Sequence, residues 1–194
     1  MKIRFIGGVN GNYNQYLKLL DTDYSLQLGD MGLNYNPLFK VNHSKHKFIA
    51  GDNDNYIMLS RQQNPIKSYL GRYGIYEVNG LKILYIGGAF TSDDNTQLTL
   101  TEFNGVLRLY KMHQPSVIAS HDCPQFIKRT LRYVRRENAF PTLTGQICDK
   151  LYNIASPKLW VFSHYNKSVS LTMPTGTNFI SLSDLEVYDY KFRY

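Results

Sequence analysis

The sequence predicts an α/β fold with an antiparallel region late in the chain. Short apolar strand patterns alternate with amphipathic helical patterns as far as Phe162, and the later segment Ser168–Tyr190 carries strand patterns with no helix between them. A third observation concerns the strand ends. Four of the predicted strands finish in Gly or Ser followed by Asp or His, which is where α/β sheets gather their ligand sites.

Taken in order, Lys2–Gly7 reads as a strand and Tyr13–Leu20 as a helix. Tyr24–Leu28 is a second strand, ending at Gly29-Asp30, and Lys47–Ala50 a third, ending at Gly51-Asp52. Asn34–Lys45 is the longest expected loop. Ile75–Val78 and Leu81–Ile86 flank Asn79-Gly80, a strong hairpin signal. Leu98–Lys111 has a helical pattern, weakened by Gly105. Ser116–Ser120 is a strand ending at His121, Pro124–Arg136 and Leu143–Ala155 are helices, and Leu159–Phe162 is a strand ending at Ser163-His164. Ser168–Tyr190 reads as a β meander turning at Met173–Gly176 and near Ser183-Asp184.

The 194 residues, 43% of them hydrophobic, suit one compact domain spanning 1–194. No apolar run approaches the roughly 20 residues that would cross a membrane, and Met1–Ile6 reads as a strand rather than a cleaved signal. A cytoplasmic setting is therefore expected, with no membrane partner. Cys123 and Cys148 form neither a zinc-type spacing nor a disulfide framework and read as buried thiols. The formal charge of +7 favours polyanionic or acidic partners, and most of the 16 tyrosines are expected half-buried at element edges.

Small residues at a strand end let the backbone turn sharply and bring the next side chain inward. Asp30, Asp52, His121 and His164 all follow such residues, and two carboxylates with two imidazoles make a donor set for zinc or manganese. At these residues the chain resembles the calcineurin-like metallophosphoesterases, especially small single-domain members of phage type. The resemblance runs over nearly the whole chain in five blocks: Ile6-Gly7-Gly8-Val9-Asn10-Gly11-Asn12, Gly29-Asp30-Met31-Gly32, Gly51-Asp52-Asn53-Asp54, Ser120-His121-Asp122 and Ser163-His164-Tyr165-Asn166. It implies a four-layer α/β/β/α sandwich and a phosphoesterase centre with two metals. A phage-like relative implies a viral accessory or virion-associated protein, in the host cytoplasm or the virion.

The departures from the family pattern set the functional expectation. Asp30 matches the aspartate that bridges the two metals. The other side-chain ligands of the first metal correspond to Gly8, Asn10 and Asn166, where glycine offers no donor and an amide is a poor substitute for imidazole. The second metal's ligands correspond to Asp30, Asp52, His121 and His164, and all four can ligate. The family's catalytic histidine corresponds to Asn53, which cannot transfer a proton near neutral pH. The expectation is one divalent ion, manganese or zinc, and little or no phosphoesterase activity on a scaffold with a binding or structural role, including protein–protein assembly. The alternative is a phosphomonoester or phosphodiester hydrolase working with a single metal.

Lys128, Arg129, Arg132, Arg135 and Arg136 repeat at helical spacing and read as one basic stripe opposite Ile127, Leu131 and Val134. It is either a solvated face or a docking surface for nucleic acid or an acidic protein. Gly87-Gly88-Ala89-Phe90 lacks the Lys-Ser/Thr of a nucleotide loop and reads as close backbone packing. His43, His46 and His113 are expected at the surface. Asp54 and Asp122 read equally as partners orienting an imidazole and as exposed turn residues.

Overall fold

Apolar residues run without a break through Ile83–Ile86, Val117–Ala119 and Leu159–Phe162, and every one of them is buried. Such strands need cover on both faces. The computed structural model, which describes residues 1–61, 63, 65–89, 96–135 and 142–192, supplies it with two stacked sheets between helices. The strands are β1 (Lys2–Ile6), β2 (Tyr24–Leu28), β3 (His46–Ile49), β4 (Tyr73–Val78), β5 (Leu81–Ile86), β6 (Val117–Ser120), β7 (Leu159–Phe162), β8 (Val169–Thr172), β9 (Asn178–Ser181) and β10 (Val187–Lys191). The helices are α1 (Tyr13–Lys18), α2 (Tyr56–Leu59), α3 (Leu100–His113), α4 (Gln125–Arg135) and α5 (Leu143–Ile154).

One sheet has the order β10-β1-β2-β3 and the other β4-β5-β6-β7-β9-β8. The interior pairs are parallel, and antiparallel strands stand at the edges: β10 on β1, β4 on β5 and β8 on β9. The two-residue period of a strand sorts the side chains into layers. Ile3, Phe5 and Leu26 of the first sheet meet Ile83, Val117 and Val161 of the second between the sheets. Leu84, Ile118 and Trp160 point the other way, onto Val106 of α3, Ile127 of α4 and Leu151 of α5. On the outer face of the first sheet, Ile6 and Phe48 meet Tyr16 of α1 and Leu59 of α2. This is the four-layer α/β/β/α sandwich.

Asn79 and Gly80 have φ of 46° and 81°, the left-handed pair of the expected hairpin turn. α3 starts two residues later than the pattern predicts, because Thr99 and Glu102 form a capping box. Gly105 belongs inside that helix: a Cβ there would stand 2.2 Å from the Tyr73 hydroxyl, so the glycine lets α3 lie close on β4. The expected long loop contains a short 3-10 helix, Asn36–Lys40, started by Pro37. The C-terminal meander is corrected. β8 and β9 form a hairpin, but β10 crosses to the other sheet and pairs with β1. The crossing turn packs its Ser183 carbonyl where a Cβ on Gly7 would stand at 1.9 Å, and the Glu186 carboxylate closes it by accepting from the Ser183 N–H at 2.8 Å.

Candidate metal centre

Asp30 follows β2, Asp52 follows β3, His121 follows β6 and His164 follows β7, all at carboxyl ends of parallel strands. The first sheet contributes the carboxylates and the second the imidazoles. The small residues before them make room for neighbouring ligands: a Cβ on Gly29 would stand 2.3 Å from His121 Nδ1, and one on Gly51 would stand 2.2 Å from Asp30 Oδ1. Asp30 and His164 themselves have φ of 58° and 70°, in the region where non-glycine residues are strained and tend to mark functional sites.

Asp52 Oδ1 is the focus. His121 Nε2 lies 2.8 Å from it and His164 Nδ1 lies 2.9 Å from it, while Asp30 Oδ1 is 3.6 Å from His121 Nε2. Asp52, His121 and His164 each present a donor atom within 4.8 Å of the others. The buried His121 ring is held from behind by the Leu28 carbonyl, 2.7 Å from Nδ1, which accepts from Nδ1–H and leaves Nε2 for the site. Burial pushes His121 toward the neutral form, but Asp30 and Asp52 outweigh it and raise its pKa to about 9. Burial likewise disfavours the charged Asp52, and the hydrogen bonds from both histidines reverse that, holding it well below the usual carboxylate range. The donor chemistry fits a zinc- or manganese-type ion. Bond lengths near 2.0–2.1 Å require donors roughly 3.3 Å apart, so the contacts at Asp52 would open by about half an ångström.

Asn53 turns onto Asp30: its backbone N–H donates to Oδ1 at 3.0 Å and its side-chain amide to Oδ2 at 3.1 Å. Gly8, Asn10 and Asn166 surround another residue, Asp184. A Cβ on Gly8 would stand 2.6 Å from Asp184 Oδ1, Asn10 hydrogen-bonds the Asp184 side chain, and the Asp184 N–H donates to Asn166 Oδ1 at 3.1 Å. Burial raises the Asp184 pKa, with the Asp30 charge adding to it. The sequence marked Ser183-Asp184 only as a turn, and no local signal there announces a carboxylate at this place.

The neighbouring aspartates have distinct places. Asp54 is buried and accepts from the N–H groups of Met31, Gly32 and Gly51 at 3.2, 3.0 and 2.8 Å and from the Tyr35 hydroxyl at 3.1 Å, joining the loops that carry Asp30 and Asp52. Burial raises its pKa to about 6. Asp122 is also buried and is paired with Lys128 at 2.6 Å. Neither is an exposed turn residue.

Lys128 therefore leaves the expected basic stripe. At 5% exposure it shares the inward face of α4 with Ile127 and Leu131, because that face is wider than the apolar residues alone mark out. Arg129 is exposed, as expected. The side chains of Arg132 and Arg135, and all of Arg136, lie outside the described residues. His46 is a second correction: it is buried and pairs through Nδ1 with Ser25 Oγ at 3.0 Å. His43 is exposed and His113 half-buried. Gly88 packs its backbone closely as expected, since a Cβ there would meet the Thr96 carbonyl at 2.0 Å; Phe90 of the same stretch lies outside the described residues. Cys123 and Cys148 are buried free thiols.

Two stacked sheets flanked by helices, with aspartates and histidines converging from the carboxyl ends of their strands, define the calcineurin-like metallophosphoesterase fold. Solved structures with this architecture agree. TT1561 of Thermus thermophilus superposes with a TM-score of 0.58 at 11% identity, over 95% of this chain and 89% of that one. A novel phosphatase from Mycoplasma pneumoniae gives a TM-score of 0.54 at 11% identity, over 95% and 72%. GAP50, the anchor in the inner membrane complex of Plasmodium, gives 0.51 at 10% identity, over 94% and 71%. No protein-family model and no curated protein matches the chain by sequence. Among the described residues, no helix is long and apolar enough to cross a membrane.

Proposed function

We propose that this chain is a binding or structural protein on a metallophosphoesterase scaffold, with phosphoesterase activity absent or strongly impaired and one divalent ion held by Asp30, Asp52, His121 and His164. The observation that carries this reading is the environment of Asp184. Around it stand a glycine and two amides, at the positions that match three side-chain ligands of the family's first metal. The family's chemistry uses two metals about 3.5–4 Å apart to activate a hydroxide and hold phosphoryl oxygens. Losing one charge-stabilising group from such a site costs about 10²–10³ in rate. Asn53, bonded to Asp30 through its backbone N–H and its side-chain amide, offers no replacement for a titratable proton donor.

The ion, when bound, supplies a fixed positive charge that attracts an anionic group. Asp52 adds a formal negative charge to the site and strengthens cation binding over an amide at the same position. The fold's likeness to GAP50, the anchor in the inner membrane complex of Plasmodium, supports a contact role by analogy. The exposed Arg129 on α4 supports docking of nucleic acid or an acidic protein at this helix. The second reading, a one-metal phosphoesterase, is favoured by the intact Asp52–His121–His164 cluster.

Hydrolysis of an aryl phosphate, measured with manganese, nickel and zinc, separates the two. The expected result is no metal-stimulated turnover above that of an Asp30→Ala control. Robust turnover abolished by Asp30→Ala would establish the second reading.

A further inference from the structure

Two residues directly following the site histidines meet beneath the site. Asp122 follows His121, Tyr165 follows His164, and the Tyr165 hydroxyl donates to Asp122 Oδ1 at 2.7 Å. The same oxygen accepts from the Cys123 N–H at 2.7 Å, and the other oxygen accepts from Lys128 Nζ at 2.6 Å. Asp122 is 1% exposed and Lys128 5%, so this is a buried ion pair. Breaking such a pair is costly because it strands a charge without solvent. The Tyr165 ring stands edge-on against His164 with centroids 4.8 Å apart and against Phe162 of β7 at 6.3 Å, and its hydroxyl also meets the Cys123 side chain.

We propose that Asp122 and Tyr165 are positioning residues, a brace that sets how far His164 stands from His121 across Asp52. β6 and β7 are in register up to Ser120 and Phe162, and just beyond them a backbone bond from Ser163 N–H to the His121 carbonyl spans 3.2 Å. The strands alone therefore leave the His164 side chain to be aimed by its own turn. That turn holds His164 at φ 70°, a conformation that surrounding contacts must maintain. Tyr165 supplies such a contact, tied to the helix bundle through Asp122 and Lys128. Lys128 neutralises Asp122, so the brace adds no uncompensated negative charge behind the imidazoles. Thr142, which caps α5 by accepting from the Gly145 N–H at 3.0 Å, also bonds Lys128 Nζ and extends the brace to a second helix.

The consequence for ion binding rests on the metal reading above; the geometric claim does not. Tyr165→Phe removes one hydroxyl and keeps the ring. In the full chain, the imidazole nitrogen NMR signals of metal-free protein are compared between wild type and Y165F, with zinc affinity by calorimetry and the visible spectrum of the cobalt(II)-loaded protein. The expected result is a displaced His164 signal, zinc affinity weakened about ten- to hundredfold, an altered cobalt spectrum and little change in metal-free melting temperature. Unchanged imidazole signals in Y165F overturn the brace, whatever the metal results. Wild-type protein that takes up no zinc overturns the metal reading instead, while a shifted His164 signal still upholds the brace. Asp122→Asn should act in the same direction as Y165F; if it leaves Lys128 unpaired and the chain unfolded, Y165F decides alone.

Discussion

Gly8 and Asp184 compete for one volume. An ideal Cβ on Gly8 falls 2.6 Å from Asp184 Oδ1, closer than real Cβ atoms approach, and the Leu185 N–H bonds the Gly8 carbonyl at 2.8 Å. The strand end and the facing turn are fitted to each other, so the glycine and the aspartate form one unit across 176 residues of chain (184 minus 8).

Rebuilding the family's ligand set therefore requires a change at both ends. Gly8→Asp combined with Asn10→His, Asn53→His and Asn166→His should recover little phosphoesterase activity while Asp184 is present. Adding Asp184→Gly should raise aryl phosphate turnover above that of the quadruple variant by about a hundredfold or more, the scale of a regained charge-stabilising group. Equal activity in the two variants would show that the crowding is relieved by simple rotation of Asp184.

Elemental analysis of purified protein should find one divalent ion per chain, and His121→Ala with His164→Ala should remove it. Two ions per chain, or one ion kept undiminished in the double variant, would refute the assignment of these four ligands.

Binding of that ion should weaken as pH falls. His121 in the metal-free site has its pKa raised to about 9 by Asp30 and Asp52, so at pH 7 a proton must leave for the ion to bind. One released proton corresponds to about tenfold in affinity per pH unit below that value. The sign for folding is opposite: the stabilisation of the metal-free protein by charged His121 is fully present below about pH 6.5, the ordinary value, and is lost as pH rises through about 9. Calorimetric titrations and melting curves across this range should trend in these opposite directions; parallel trends would overturn the assignment.

The two adjacent cations of α4 should behave differently. Lys128→Met strands the buried Asp122 and should destabilise the fold by about 3–5 kcal/mol, read by denaturant unfolding. Arg129→Glu should change stability by less than about 0.5 kcal/mol, because the residue is exposed. If the helix docks nucleic acid, Arg129→Glu lowers the salt slope of retention by roughly one unit. An unchanged slope would mean that Arg129 is only solvated.

Gly29→Ala should cost stability and ion binding together. The position has φ of 96°, and its Cβ would meet His121 Nδ1 at 2.3 Å. Left-handed strain costs of order 1–3 kcal/mol, and displacing the ring breaks its bond to the Leu28 carbonyl. A variant with wild-type zinc affinity would show that His121 is not placed as described.

Much of this was legible in the chain because it is local. Alternating apolar residues marked β1 and β2, unbroken apolar runs marked β5, β6 and β7, the Asn79-Gly80 pair marked its hairpin, and a small residue before Asp30, Asp52, His121 and His164 marked each strand end. Burial on both faces of parallel strands and the need for a sharp turn at their ends act over a few residues, so composition and spacing record them. What depended on distant residues was not recorded in that way. Lys128 read as a surface cation because nothing nearby in sequence says that Asp122 is buried beside it, and His46 read as exposed because its partner Ser25 lies on another strand. Asp184 read as a turn because Gly8, Asn10 and Asn166 come to it only when β10 crosses back to β1. The sequence by itself determined which carboxylates and imidazoles stand at strand ends and which strands carry them. The tertiary structure decided which charges are desolvated and paired, since those depend on contacts that local sequence does not encode.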